Sequence, residues 1–80
     1  MASKSIRWRG PIPQTSPPDV LRDALLALLR DFNCGQREAA KLLVVDERTL
    51  RRWVADPSSS TARAAPWASV ELLRRILLEL

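Results

Sequence analysis

The stretch SPPDVLRDALLALLRDFN carries Val20, Leu21, Ala24, Leu25, Leu28 and Phe32 in a rhythm of three to four residues. That rhythm lines one side of an α-helix and fits no strand, so it constrains the fold class by itself. Its start is marked as well. Ser16 is expected to cap the helix, the adjacent prolines fit its first turn, and Asp19 and Asp23 suit its positive end. Asn33-Cys34-Gly35 should end it, with Gly35 taking a left-handed conformation.

The same signals predict three further helices. QREAAKLLV is a short second helix that buries Ala39, Ala40, Leu42 and Leu43. Asp46 is placed to cap a third, Glu47 to Ala55, which Asp56-Pro57 stops before the polar loop PSSSTARAA. Pro66 opens a fourth, PWASVELLRRILLEL, on which Val70, Leu72, Leu73, Ile76, Leu77 and Leu80 span an arc of about 160°. Nothing alternates as a strand would. The expectation is an all-α, compact four-helix domain over residues 17–80, preceded by a basic flexible arm at residues 1–16.

With 80 residues, a single small domain is the limit. Formal charge is +4 from 13 basic and 9 acidic residues, with a pI near 10.6, so acidic partners are favoured. The excess is uneven: Lys4, Arg7 and Arg9 give the first 16 residues +3, and residues 36–63 carry +2. Trp8, between two arginines, either contacts nucleic acid or tucks against the domain. The chain has no His, one Cys (Cys34, read as a partly buried small hydrophobe) and only Gly10 and Gly35 as glycines. General acid–base catalysis thereby loses its usual agent, an internal disulfide is excluded, and no Gly-rich phosphate loop exists. No enzyme, cofactor or metal site is expected. MASKSIRWRGPIP lacks the apolar core of a signal peptide and no apolar run is long enough to span a membrane, so a cytoplasmic address is expected.

The segment DERTLRRWVAD concentrates the charge. At about 100° per residue, Arg48, Arg51 and Arg52 share an arc of about 100°, with Leu50, Trp53 and Val54 on the other side. One face calls for a core and the other holds three guanidinium groups that repel each other unless an anion faces them. A solvated basic face is the plain alternative. Trp53 belongs with the core side. Trp67 falls opposite Leu72 and Ile76, either exposed or folded under the arm, and Arg74 and Arg75 look like helix-face partners of Glu71 and Glu79.

Only Val44-Val45-Asp46 connects the second and third helices. The run GQREAAKLLVVDERTLRRW resembles the helix-turn-helix of phage Cro and repressor-type regulators. The matching positions are Gln36, Ala40 at the helix crossing, Val45 and Leu50 as core plugs, and Trp53. The resemblance covers roughly residues 18–80. A looser similarity is to anti-CRISPR-associated autorepressors, through the QR-x-AA-x-LL opening and the entry RAAPW to the last helix. The pattern departs at Val44, where the family usually has Gly at positive φ, a conformation that strains a β-branched residue by about 1–2 kcal/mol.

This resemblance implies a DNA-binding transcriptional repressor with its third helix in the major groove. Glu47, Arg48, Arg51 and Arg52 would then reach base edges, and Gln36, Arg37, Lys41, Thr49 and Arg63 would meet phosphates. Lys4, Arg7 and Arg9 of the arm would add contacts to double-stranded DNA. A homodimer on a pseudo-palindromic operator is expected, with Leu73, Leu77 and Leu80 at its interface. No small-molecule ligand is evident. The rival readings are an antitoxin-like module that docks a partner protein through the apolar last helix, and a weaker one, a peripheral membrane binder.

Overall fold

The structure, a computed structural model, describes residues 10–79. Lys4, Arg7, Trp8, Arg9 and Leu80 lie outside the described residues. Four helices follow in order, α1 (Pro18–Asp31), α2 (Gln36–Leu43), α3 (Glu47–Val54) and α4 (Trp67–Glu79), with no strand among the described residues. The expected all-α architecture and its boundaries therefore hold to within a residue or two. α1 packs on α3 and α4, and α2 packs on α3 and α4, so each helix packs on at least two others around one core.

The helix ends use backbone more than side chains. Pro18 occupies the first turn of α1, but Ser16 does not cap it; its hydroxyl donates to the Pro13 carbonyl instead, at 2.6 Å. Asp46 precedes α3 in extended conformation and its carbonyl accepts from Leu50 N–H at 3.1 Å, while its carboxylate makes no capping bond.

At the end of α1 the left-handed residue is Asn33 (φ 51°), not Gly35. Asn33 N–H donates to Arg30 carbonyl and Cys34 N–H to Leu29 carbonyl, a paired closure of the last turn. Asn tolerates this conformation through its short polar side chain, which leaves Gly35 extended at the start of α2. The end of α2 repeats the device with Val44 at φ 56° and ψ 48°. Val44 N–H bonds Lys41 carbonyl and Val45 N–H bonds Ala40 carbonyl. The expected positive φ is present, on a β-branched residue that is 88% exposed.

The core collects Leu21, Ala24, Leu25 and Leu28 from α1, Ala39, Ala40 and Leu43 from α2, Leu50 and Trp53 from α3, and Val70, Leu73 and Leu77 from α4. α1 is covered more widely than its stripe predicts, because Ala27 and Leu29 on its flank are also buried. On α4 two expectations fail. Leu73 (0% exposed) and Leu77 (4%) fill this chain's own core and cannot face a second subunit. The apolar side chain that α4 leaves in solvent is Leu72, 47% exposed.

The arm boundary at residue 16 is corrected as well. Ile12 is 1% exposed and sits in the core cluster. Its neighbour Pro13 restricts it to extended backbone, and α4 satisfies both of its peptide groups. Ile12 N–H donates to Glu71 Oε1 (3.0 Å), and Ile12 carbonyl accepts from Trp67 Nε1 (2.7 Å). Trp67 and Glu71, one turn apart, thus clasp a single residue. Of the two placements open to Trp67, the one under the arm is observed.

Glu71 is itself buried beneath Ile12. Arg74 grips it as a fork, Nε to Oε1 at 2.8 Å and Nη2 to Oε2 at 2.7 Å, and Arg75 Nε reaches Oε2 at 3.2 Å. The expected pairing exists, but Arg74 (7% exposed) and Glu71 (4%) form it inside the protein, not on a solvated face. The Arg74 bonds outweigh the cost of burial and, with the Ile12 N–H and Arg75, hold the Glu71 carboxyl down from 4.5 to about 2. The same partner pushes Arg74 upward.

Two measurements test these elements. A carboxyl lowered from 4.5 to about 2 contributes about 3 kcal/mol that is fully present above pH 4.5 and lost as pH falls through 2. Urea unfolding should therefore show stability dropping across that window, and Glu71→Gln should flatten the drop while costing about 3–5 kcal/mol at neutral pH. Val44→Gly relieves left-handed strain against a smaller entropic loss. It should raise the unfolding free energy by about 0.5–1 kcal/mol, seen as a higher urea midpoint at unchanged m-value.

Candidate functional site

α3 divides as its periodicity dictates. Leu50 (0% exposed) and Trp53 (8%) enter the core, and Arg48, Arg51 and Arg52 stand in solvent on the outer face. The connection Val44–Asp46 is too short to let α3 rotate freely, so the two anchors fix which way the guanidinium groups point. Between Arg48, Arg51, Arg52 and Thr61 lies a shallow hollow of about 310 Å³. Thr61 comes from the loop after α3, which returns along the helix and donates Arg63 N–H to Arg52 carbonyl at 3.0 Å.

Within this face one charge pair exists. Arg51 Nη2 donates to Glu47 Oε2 at 2.9 Å across one helical turn. Both side chains are well exposed, so the pair adds only a few tenths of a kcal/mol and opens readily for another partner. The remaining expected positions divide by location. Gln36 and Arg37 are exposed at the N-terminus of α2, beside its free backbone donors. Exposed Lys41 and half-buried Thr49 share a depression of about 590 Å³ with Val44 and Asp46 at the α2–α3 turn.

Arg63 differs from that group. Its guanidinium folds back on its own loop, Nη1 bonding Ala62 carbonyl at 2.8 Å and Ser60 carbonyl at 3.3 Å. That loop holds its Nη1, whereas none of the basic side chains of α2 and α3 bonds to the loop. Asp56, the loop's first residue, accepts from Ser58 N–H and Ser58 hydroxyl at 2.9 Å each. These bonds, the backbone one foremost, hold its carboxyl below the usual range, with Arg22 helping.

Arg22 carries a role that sequence reasoning missed. From α1 its Nε donates to Ala55 carbonyl at 2.9 Å and its Nη2 to Val54 carbonyl at 3.4 Å. It satisfies the open carbonyls at the end of α3 and places a positive charge at the negative pole of that helix. Nothing local signals this, because its partner lies 33 positions away. Cys34 is half-buried and packs against the core as expected. Burial first and Glu38 second push its thiol up, so it stays protonated at neutral pH.

Compared with protein-family models, curated proteins and solved structures, the chain finds no match. Among the described residues, no helix is long and apolar enough to cross a membrane.

The arrangement makes a prediction about α3 itself. Arg22→Met leaves two helix-terminal carbonyls without their charged donor. It should cost about 1–2 kcal/mol, with faster amide exchange in the second half of α3 than elsewhere. Uniformly faster exchange across all four helices would instead assign Arg22 to general packing.

Proposed function

We propose that this chain is a sequence-specific DNA-binding transcriptional regulator in which α2 and α3 act as a helix-turn-helix. The observation that carries the reading is the outer face of α3. Three exposed guanidinium groups stand there on a helix whose opposite side is locked by Leu50 and Trp53. Glu47 answers only Arg51 on this face, and a duplex supplies the further anions, since phosphates run on both sides of a groove wide enough to admit one helix.

In this reading Arg48, in the first turn of α3, reaches base edges, and its planar fork suits O6 and N7 of guanine. Glu47 and Arg51 enter the groove as a pair, and Arg52 stands beside Thr61 near the groove wall. Gln36, Arg37 and the N-terminus of α2 hold phosphates, with Lys41 and Thr49 flanking them. Arg63 serves mainly to hold its loop. The protein occupies promoter DNA as a homodimer, because one such module reads too few base pairs for useful specificity. With Leu73 and Leu77 committed to the core, Leu72 is the apolar residue of α4 left to meet a partner. The same exposed leucine is what favours the rival reading, a module that docks another protein through α4.

The separating experiment compares Arg48→Ala with Arg37→Ala on a selected operator, a singly mismatched operator and random duplex at several salt concentrations. Arg48→Ala should cost about 1–3 kcal/mol on the operator and relax discrimination at one base pair. Arg37→Ala should weaken all three duplexes alike and reduce the salt slope by about one per half-site. Equal loss on all three for Arg48→Ala would sink the groove assignment. For assembly, Leu72→Glu should convert the dimer to monomer in light scattering without loss of helicity. A wild-type chain that stays monomeric at high concentration yet binds one half-site tightly would overturn the dimer.

A further inference from the structure

Behind the C-terminal end of α3, between α1 and the returning loop, lies a cavity of about 410 Å³. Trp53, Ala62 and Ala64 are among its apolar walls, and Asp19, Arg22 and Arg63 also line it. Its size falls in the range of small-molecule pockets, and its make-up, apolar walls with a few polar groups, is the usual one. The basic face of α3 points elsewhere, since neither Arg48, Arg51 nor Arg52 lines this cavity.

The two arginines are only partly used. Arg22 spends Nε and Nη2 on the end of α3, which leaves Nη1 without a partner among the described residues. Arg63 spends Nη1 on its loop, which leaves Nη2 in the same condition. Both guanidinium groups are thereby held in place by bonds to backbone while keeping donors to offer. A held guanidinium loses less entropy on binding a carboxylate than a free one. Asp19 on the same lining and Asp56, whose carboxylate interacts with Arg22, offset the two guanidinium charges, which disfavours a phosphate or a dicarboxylate and leaves the free donors to a single carboxylate.

We propose that this cavity binds a small monocarboxylate with an apolar or aromatic body. The carboxylate accepts from Arg22 Nη1 and Arg63 Nη2, and the body lies against Trp53 and the alanine wall. Such a ligand would sit against the residue that anchors α3 and the arginine that closes its end. The site is independent of the DNA reading: it stands or falls on binding alone.

The test is a backbone-amide NMR titration of the full chain with 3-phenylpropionate, and in parallel with its neutral amide. Saturable shifts should cluster at residues 19–22, 53–56 and 62–65, with a dissociation constant of roughly 1 mM. The neutral amide should bind at least about tenfold more weakly, and Arg63→Gln should weaken the acid by about tenfold. Ala62→Leu, or Ala64→Leu if the first proves unfolded, fills the cavity and should abolish the shifts. The proposal is overturned by an absence of saturable shifts at these residues, by equal affinity for acid and amide, or by unchanged binding in a folded, cavity-filled variant. Shifts of the same residues on raising protein concentration without ligand would seat a second copy there and equally overturn it.

Discussion

The turn at Val44 is the constraint on which the arrangement of α2 and α3 rests. Three residues must reverse the chain between the two helices, and they do so only because one adopts positive φ. For valine that conformation costs about 1–2 kcal/mol. It is offset by what the turn secures, since burying Leu50 and Trp53 contributes about 1.5–3 kcal/mol for each large apolar side chain. Ala39 and Ala40 make the close approach possible, because anything larger on that side would hold the helices apart. The rotation that sends Leu50 inward is the one that sends Arg48 and Arg52 outward. The inner and outer faces of α3 thus have a single cause.

Around this eight-residue helix the charges are distributed in a directed way. Glu47 stands at its positive end, and Arg51, Arg52 and the incoming Arg22 stand at its negative end. Helix polarity alone would favour such an order, so the basic residues near the C-terminus have a structural reason to be there. Arg48 does not. It lies in the first turn, where the helix field opposes a cation, and it is exposed. That residue, more than the number of arginines, is what the proposed reading has to explain.

The four helices were legible because each carries an unambiguous 3.6-residue period between Pro, Asn or Asp stops. The core side of α3 was legible for the same reason, whereas the left-handed turn at Val44 was suggested only by the resemblance, in which Gly usually takes that place. What stayed hidden was long-range. Ile12 is a lone apolar residue among prolines, and such composition reads as a linker until the partner that receives it is known. Glu71 and Arg74 look like an ordinary exposed pair on a helix, because periodicity does not reveal that an extended segment will cover them. Leu73 and Leu77 are indistinguishable by type from Leu72, and an arc of about 160° contains both core and surface positions. Ser16 and Gly35 have the right chemistry for the ends of α1 but were displaced by Pro17 and Asn33, one or two positions away. Of the expected site residues on α2 and α3, Gln36, Arg37, Lys41, Arg48, Arg51 and Arg52 are exposed, and Glu47 and Thr49 are half-buried. Arg63 is not comparably available, because its loop's open carbonyls compete for it.

The clasp on Ile12 spans 59 positions to Glu71 and 55 to Trp67. Closing so long a loop adds little to the equilibrium cost, since that cost grows only with the logarithm of length. It matters more in time. During synthesis, Ile12 is joined long before the groups that receive it have been made. At translation rates of about 5–20 residues per second, the wait is on the order of seconds, far longer than helices need to form. During that interval the wall that α4 supplies is missing and Ile12 has no partner for either of its peptide groups. Formation of α4 is therefore the step that completes the core, and a residue that precedes every helix in sequence is among the last to find its place.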